Sequence, residues 1–155
     1  MSTRSQPRQT PYNLATAPGY AARRLYQAYS ALWLTSVDAA ITGPQFAVMT
    51  AVRAIPGVDQ RSLAASVSLD TSTMADICRR LEGRGLISRE VSAEDARRKV
   101  LRLTPEGETT LDEVTDRSRA LNERLLEVIS VERRSAIVAE MLALSEHWEN
   151  MAAGH

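Results

Sequence analysis

The sequence predicts a mainly α-helical chain with one small β-hairpin, arranged as a winged helix-turn-helix plus a helical dimerisation region. Three observations lead there. Apolar residues recur at helical spacing in both the early and the late parts of the chain. Two short segments, each opened by an aspartate, follow one another between Asp59 and Arg84. Two short alternating runs, Leu86–Val91 and Lys99–Leu103, stand directly after them and read as a hairpin. The composition agrees: aromatics are only 5% of the 155 residues, and aliphatics and alanine dominate the rest of the apolar set. That balance favours helices over a β-sandwich, and the length suits one domain with helical extensions.

Taken in order, residues 1–17 are polar, contain Pro7 and Pro11, and have no periodicity, so they are expected to form an arm. Leu25, Ala28, Tyr29, Leu32, Trp33 and Val37 then recur at helical spacing and predict a first helix over 18–40. Thr42-Gly43-Pro44 has the form of an N-cap followed by proline in the first turn, opening a second helix that stops at Ile55-Pro56-Gly57. Asp59 caps a third helix with Leu63, Ala64 and Val67 inward, and Asp70 caps a fourth over 71–84. Gly83-Arg84-Gly85 ends that fourth helix, because glycine accepts the left-handed conformation of a helix C-cap. After the hairpin, Thr104 and Pro105 start a long helix carrying Leu111, Val114, Ser118, Leu121, Leu125 and Val128. A break near Ser130 separates it from a last helix with Ile137, Met141, Leu142, Leu144 and Trp148. The expected organisation is therefore an arm (1–17), a dimerisation region (18–40 and 105–152) and a DNA-reading unit (41–104). The flanking helices carry more apolar surface than one small domain needs, which points to burial against a second copy.

The formal net charge is zero, yet the charge is not evenly spread. From Arg79 to Arg102 there are eight basic residues against four acidic ones, whereas from Leu103 onward eleven acidic residues face five arginines. A local basic surface of this kind is a nucleic-acid footprint that the whole-chain sum conceals.

In a helix-turn-helix the second helix enters the major groove with its N-terminal residues nearest the bases. At 100° per residue, Met74, Ile77, Cys78 and Leu81 of the fourth helix fall on one side and should pack inward. Ser72, Asp76 and Arg79 fall opposite, with Thr73 and Arg80 on the flank and Arg84 at the end. Hydroxyls at the helix start suit bases or phosphates, Arg79 suits the O6/N7 pair of guanine, and Asp76 suits the N4 amine of cytosine. At the hairpin tip, Asp95-Ala96-Arg97-Arg98 places two arginines where they can enter a minor groove, with Asp95 able to hold Arg97 in pose. Any amphipathic helix has a polar face and many hairpins have charged tips; it is the two in sequence that point to double-stranded DNA.

The run LDTSTMADICRRLEGRGLISREVSAEDARRKVLRLTPEG resembles the MarR family of bacterial regulators. The resemblance is carried by Ser72-Thr73, Arg80-Leu81-Glu82, Gly85-Leu86, Asp95 and Arg97, Leu103-Thr104 with Gly107, and upstream by Ile41-Thr42 with Gln45-Phe46. One departure is Ala96, where members often carry a basic residue; Arg98 stands two positions on. The resemblance implies a homodimer that engages a pseudo-palindromic operator, and relief of repression by a small aromatic acid or phenol.

All four tyrosines and one of the two tryptophans lie within the first 33 residues, beside Arg23-Arg24. Tyr20, Tyr26, Tyr29 and Trp33 offer stacking surface and hydroxyls, and Arg23 or Arg24 offers a planar fork for a carboxylate. The same residues would equally fill a dimer interface. Cys78, the only cysteine, projects inward and is expected to be a packing residue rather than a redox sensor.

No nucleophile elbow, glycine-rich phosphate loop or metal-ligand spacing is present, and His147 and His155 are too few to suggest a metal. The chain therefore reads as a non-enzyme without cofactor. It contains no apolar run near the ~20 residues of a membrane span and no secretory h-region, so a cytoplasmic, non-membrane protein is expected. Two readings stay open beside the ligand-responsive repressor: a non-specific architectural DNA-binding protein, and a constitutive regulator without an effector.

Overall fold

A computed structural model describes residues 12–92 and 99–154. Seven helices and two strands appear in them: α1 (Tyr12–Ala15), α2 (Pro18–Ser36), α3 (Gly43–Ala54), α4 (Gln60–Ser66), α5 (Thr71–Gly83), β1 (Ile87–Val91), β2 (Lys99–Leu103), α6 (Pro105–Leu125) and α7 (Val131–Ala153).

Local chemistry accounts for most of the boundaries. Thr42 and Gln45 form a reciprocal capping box at α3: the Gln45 amide donates to Thr42 Oγ1 at 3.4 Å, and the Thr42 amide donates to Gln45 Oε1 at 3.0 Å. Asp59 accepts the amides of Arg61 and Ser62 at 3.1 and 3.0 Å to open α4. Thr104 accepts the Gly107 amide at 3.0 Å to open α6. The turn between α4 and α5 places Ser68 at φ 52°, a left-handed residue in the middle of the helix-turn-helix.

Three boundaries differ from the expected ones, the first being that α6 ends at Leu125, short of Val128. The stretch read as an arm contains a single helical turn, Tyr12–Ala15, before α2. The first long helix ends at Ser36 rather than near Ala40, because the Asp38 carboxylate accepts the amides of Ala40 and Ile41 at 2.6 and 2.8 Å. Those bonds replace helical ones, and the chain turns there.

The strands pair antiparallel, with Ile87 opposite Leu103 and Val91 opposite Lys99. The Leu101 amide also donates to the Val58 carbonyl at 3.1 Å, which fastens the hairpin to the loop after α3. The core lies among α3, α4, α5, the hairpin and α6. Val48, Met49 and Val52 of α3, Leu63 of α4, Met74 and Leu81 of α5, Leu86, Ile87 and Leu101 of the hairpin, and Leu111 and Val114 of α6 are all buried in one cluster. Arg53 of α3 ties that helix to α6 at the surface through Asp112 at 2.6 Å.

The α5–β1 and β2–α6 connections meet at one point. The Thr104 hydroxyl donates to the Gly85 carbonyl at 2.6 Å, and the Thr104 amide donates to the Leu86 carbonyl at 3.1 Å. A Cβ on Gly107 would overlap the Leu86 carbonyl oxygen and lie 2.9 Å from its carbon. Gly85 itself sits at φ +71°. These contacts are the physical content of the Gly-Leu and Leu-Thr-x-x-Gly motifs: the backbones are too close for a side chain.

None of the α7 residues is buried, although Met141, Leu142, Leu144 and Trp148 are the apolar ones that the pattern singled out. Leu25, Tyr26 and Leu34 of α2 are likewise more than half exposed.

Gly107→Ala must push the Leu86 carbonyl aside. The expected loss is on the order of 2–4 kcal/mol of unfolding free energy, measured by urea denaturation. A loss below about 0.5 kcal/mol would show that the junction yields freely.

Candidate nucleic-acid interface and effector cleft

Helix α5 is built to hold its first turn rigid. Asp70 accepts the amides of Ser72 and Thr73 at 3.0 and 2.9 Å, and also both hydroxyls, Ser72 Oγ at 2.6 Å and Thr73 Oγ1 at 2.5 Å. Those bonds, the Ser72 hydroxyl first, hold the Asp70 carboxyl well below the usual carboxylate range. One turn on, Asp76 accepts from Arg79 and pairs with Arg80 Nε at 2.8 Å. Beneath them Met74, Ile77, Cys78 and Leu81 are buried, as the periodicity requires. Ser72, Thr73, Arg79 and Arg80 are exposed and Asp76 is half-buried, so these five form one outward face.

Arg84 is not part of that group. It lies at the other end of α5, where its Nη1 donates to the Ala40 carbonyl at 2.6 Å, in the loop between α2 and α3. Asp95, Arg97 and Arg98 lie outside the described residues. The strands that carry the tip are held by an ion pair between Arg102 Nε and Glu90 Oε2 at 2.8 Å. Arg89 pairs with Glu82 at 3.1 Å and joins the hairpin to α5.

The aromatic residues of α2 divide into two groups. Tyr26, Tyr29 and Trp33, with Ser30 and Leu34, line a cleft of about 320 Å³ whose other wall is Thr42, Gly43 and Pro44 at the start of α3. Tyr29 and Trp33 are tilted at 5.8 Å between ring centroids, and Trp33 and Phe46 at 5.4 Å. Burial raises the Tyr29 phenol above its ordinary range, with Tyr26 adding to it. Trp33 Nε1 donates to the Ile41 carbonyl at 2.6 Å and fixes the indole. Tyr20, Arg23 and Arg24 stand outside this lining: both guanidinium groups lie over the Tyr20 ring, at 5.3 and 5.8 Å from its centroid. The expected arginine-plus-aromatic cluster is therefore an aromatic cleft and, separately, a cation–aromatic group on the same helix. The α3 wall of the cleft was missed in the sequence, where Thr42-Gly43-Pro44 carries only a capping signal.

A helix-turn-helix followed by an antiparallel hairpin and clasped to α6 defines a winged-helix DNA-binding fold. The MarR family model matches residues 41–99. The transcriptional regulator HosA of Escherichia coli O157:H7 is 34% identical over 116 residues, 75% of this chain and 85% of the relative. The chain belongs to the MarR family and is a transcriptional regulator, not an enzyme. Among solved structures it resembles the PcaV transcriptional regulator of Streptomyces coelicolor in complex with its natural ligand, at 36% identity and a TM-score of 0.84. That match covers 89% of this chain and 98% of the other. It also resembles the transcriptional repressor CouR bound to a 23-mer DNA duplex, at 26% identity and a TM-score of 0.82 over 90% of this chain and 99% of the other. No helix among the described residues is long and apolar enough to cross a membrane.

Cys78 is fully buried, with Sγ 3.7 Å from Met74 Sδ, and burial pushes its thiol up. A raised acid favours the neutral form in the fold, so stability is full below the ordinary thiol range and is lost as pH rises through the folded value. At about pH 8 the native chain is expected to resist iodoacetamide, and to react once unfolded in urea. Labelling of the native chain at the unfolded rate would mean that the thiol is accessible.

Proposed function

We propose that this regulator is a repressor that binds a pseudo-palindromic operator as a homodimer and releases it on binding a small aromatic carboxylate or phenol. The single observation that carries the DNA assignment is the outward face of α5, where Ser72, Thr73, Asp76, Arg79 and Arg80 lie together over a buried inner face. In this reading α5 enters the major groove, with Arg79 on guanine and Asp76 on cytosine, and Arg97 and Arg98 of the wing, oriented by Asp95, reach the minor groove. The DNA-bound CouR structure supports that docking by likeness of fold.

A second copy of the chain is the partner that suits α2 and α7. Leu25 and Leu34 are 58% and 53% exposed, and Leu142 and Leu144 are 66% and 52% exposed. Apolar surface of that extent on helices flanking a reading unit fits an interface between subunits. The reading unit would then be 41–104, with 18–40 and 105–152 holding the dimer.

Titration of a duplex selected from a random library should saturate at two chains per duplex and survive excess competitor DNA. Arg79→Ala and Arg97→Ala are each expected to lose about tenfold in affinity, on the order of 1–3 kcal/mol. An affinity and footprint equal to wild type in both variants would remove these residues from the interface. A chain that binds random duplex as tightly as the selected one would instead be architectural.

The effector assignment rests on the cleft. Tyr26, Tyr29 and Trp33 supply aromatic walls for a planar ring, and Arg23, outside the lining, lies one helical turn before Tyr26 on α2 and is the proposed partner of the carboxylate. PcaV, the similar regulator solved with its natural ligand, supports a ligand-responsive reading. Benzoates and hydroxybenzoates are expected to raise the melting temperature of the wild-type chain and to lower its affinity for the selected duplex. Arg23→Ala or Arg24→Ala should reduce that stabilisation by more than half; full stabilisation in both would reject the arginine anchor. A chain that no aromatic acid stabilises would be a constitutive regulator.

A further inference from the structure

The loop between α2 and α3 is tied to three helices at once. From α2, Trp33 Nε1 donates to the Ile41 carbonyl at 2.6 Å. From α6, Arg117 Nη2 donates to Asp38 Oδ2 at 2.8 Å, while Asp38 Oδ1 holds the amides of Ala40 and Ile41. From α5, Arg84 Nη1 donates to the Ala40 carbonyl at 2.6 Å across 44 positions of sequence. Ala40 and Ile41 are adjacent, so the recognition helix and the indole that lines the cleft hold neighbouring carbonyls of one short loop.

We propose that Arg84 is a positioning residue that ties the end of the recognition helix to this loop, so that the pose of α5 and the packing of Trp33 at the cleft are set together. The inference rests on the reading of α5 as the DNA-reading helix. Basic residues in this stretch invite a different assignment, a phosphate contact. The geometry opposes it. Arg84 lies twelve positions after Ser72, roughly 18 Å along the axis, so an α5 docked by its first turns carries Arg84 at its far end. Its guanidinium is already engaged by a backbone carbonyl, and a charged donor on a carbonyl makes a strong tie.

The tie has a mechanical consequence. A group entering the cleft against Trp33 displaces the indole or strengthens its hold on Ile41. Either change passes through Ala40 to Arg84 and hence to the tilt of α5. In the other direction, a duplex that fixes α5 also fixes residues 37–42. Such reciprocity is required of any coupling between two binding sites.

The test uses the full chain and a duplex selected from a random library with the wild-type protein. Duplex binding is expected to slow hydrogen exchange of the 37–42 amides in wild type. In Arg84→Ala that slowing is lost while α5 stays protected. The affinity of the variant should fall by a similar factor at every salt concentration, leaving the slope of log K against log salt unchanged. A slope smaller by about 0.9 would mark a lost phosphate contact and overturn the proposal. So would protection of 37–42 in the variant equal to that in wild type. Arg84→Met, neutral and of similar length, serves if the alanine variant does not fold. A general loss of stability would speed exchange in the free protein and leave the response to duplex intact. A wild-type chain that enriches no duplex fails the DNA reading first and takes this inference with it.

Discussion

The close approach of Gly107 to the Leu86 carbonyl is the constraint on which the arrangement of the reading unit depends. It brings the start of α6 against the end of α5, with the hairpin as the loop between them. Thr104 completes the junction by donating through both its hydroxyl and its amide to the Gly85–Leu86 backbone while accepting the Gly107 amide. Two connections that would otherwise be independent are thereby fixed by four residues. Leu86 and Ile87 can then drop into the same core as Leu111 and Val114, and α5 keeps one face free for solvent or DNA.

That core explains how a chain with no net charge presents a usable surface. The inner face of α5 is made only of Met74, Ile77, Cys78 and Leu81, so its polar residues are displaced outward together rather than scattered. Arg53 and Arg117 are drawn to Asp112 and Asp38 and link α6 to the reading unit and the α2–α3 loop. The acidic excess of the C-terminal half is thus partly engaged in holding layers together.

How far the sequence was legible depended on the range of the interaction. Thr42, Asp59, Asp70 and Thr104 were readable as caps because a cap bond closes within three residues. The inner face of α5 was readable because a single period sets it. The end of α2 was not: Val37 continued the apolar pattern, while the competing bonds from Asp38 to Ala40 and Ile41 left no mark in periodicity. The bond from Arg84 to the Ala40 carbonyl was not readable either, because the two lie 44 positions apart. The cleft was half legible, since Tyr26, Tyr29 and Trp33 share one helix but the opposing wall of Thr42, Gly43 and Pro44 meets them only in three dimensions.

The pairing of Asp76 with Arg79 and Arg80 bears on selectivity. Within residues 70–84 three acidic side chains (Asp70, Asp76, Glu82) balance three arginines (Arg79, Arg80, Arg84). Under the proposed docking, Arg79 or Arg80 turns toward a duplex by giving up part of its contact with a carboxylate it already holds. On an arbitrary sequence that is an exchange of one anion for another, with little to gain. Where guanine offers two acceptors in a row, or cytosine offers an amine to the carboxylate left behind, the exchange becomes favourable. The helix would discriminate through its indifference to ordinary DNA as much as through attraction to its own site.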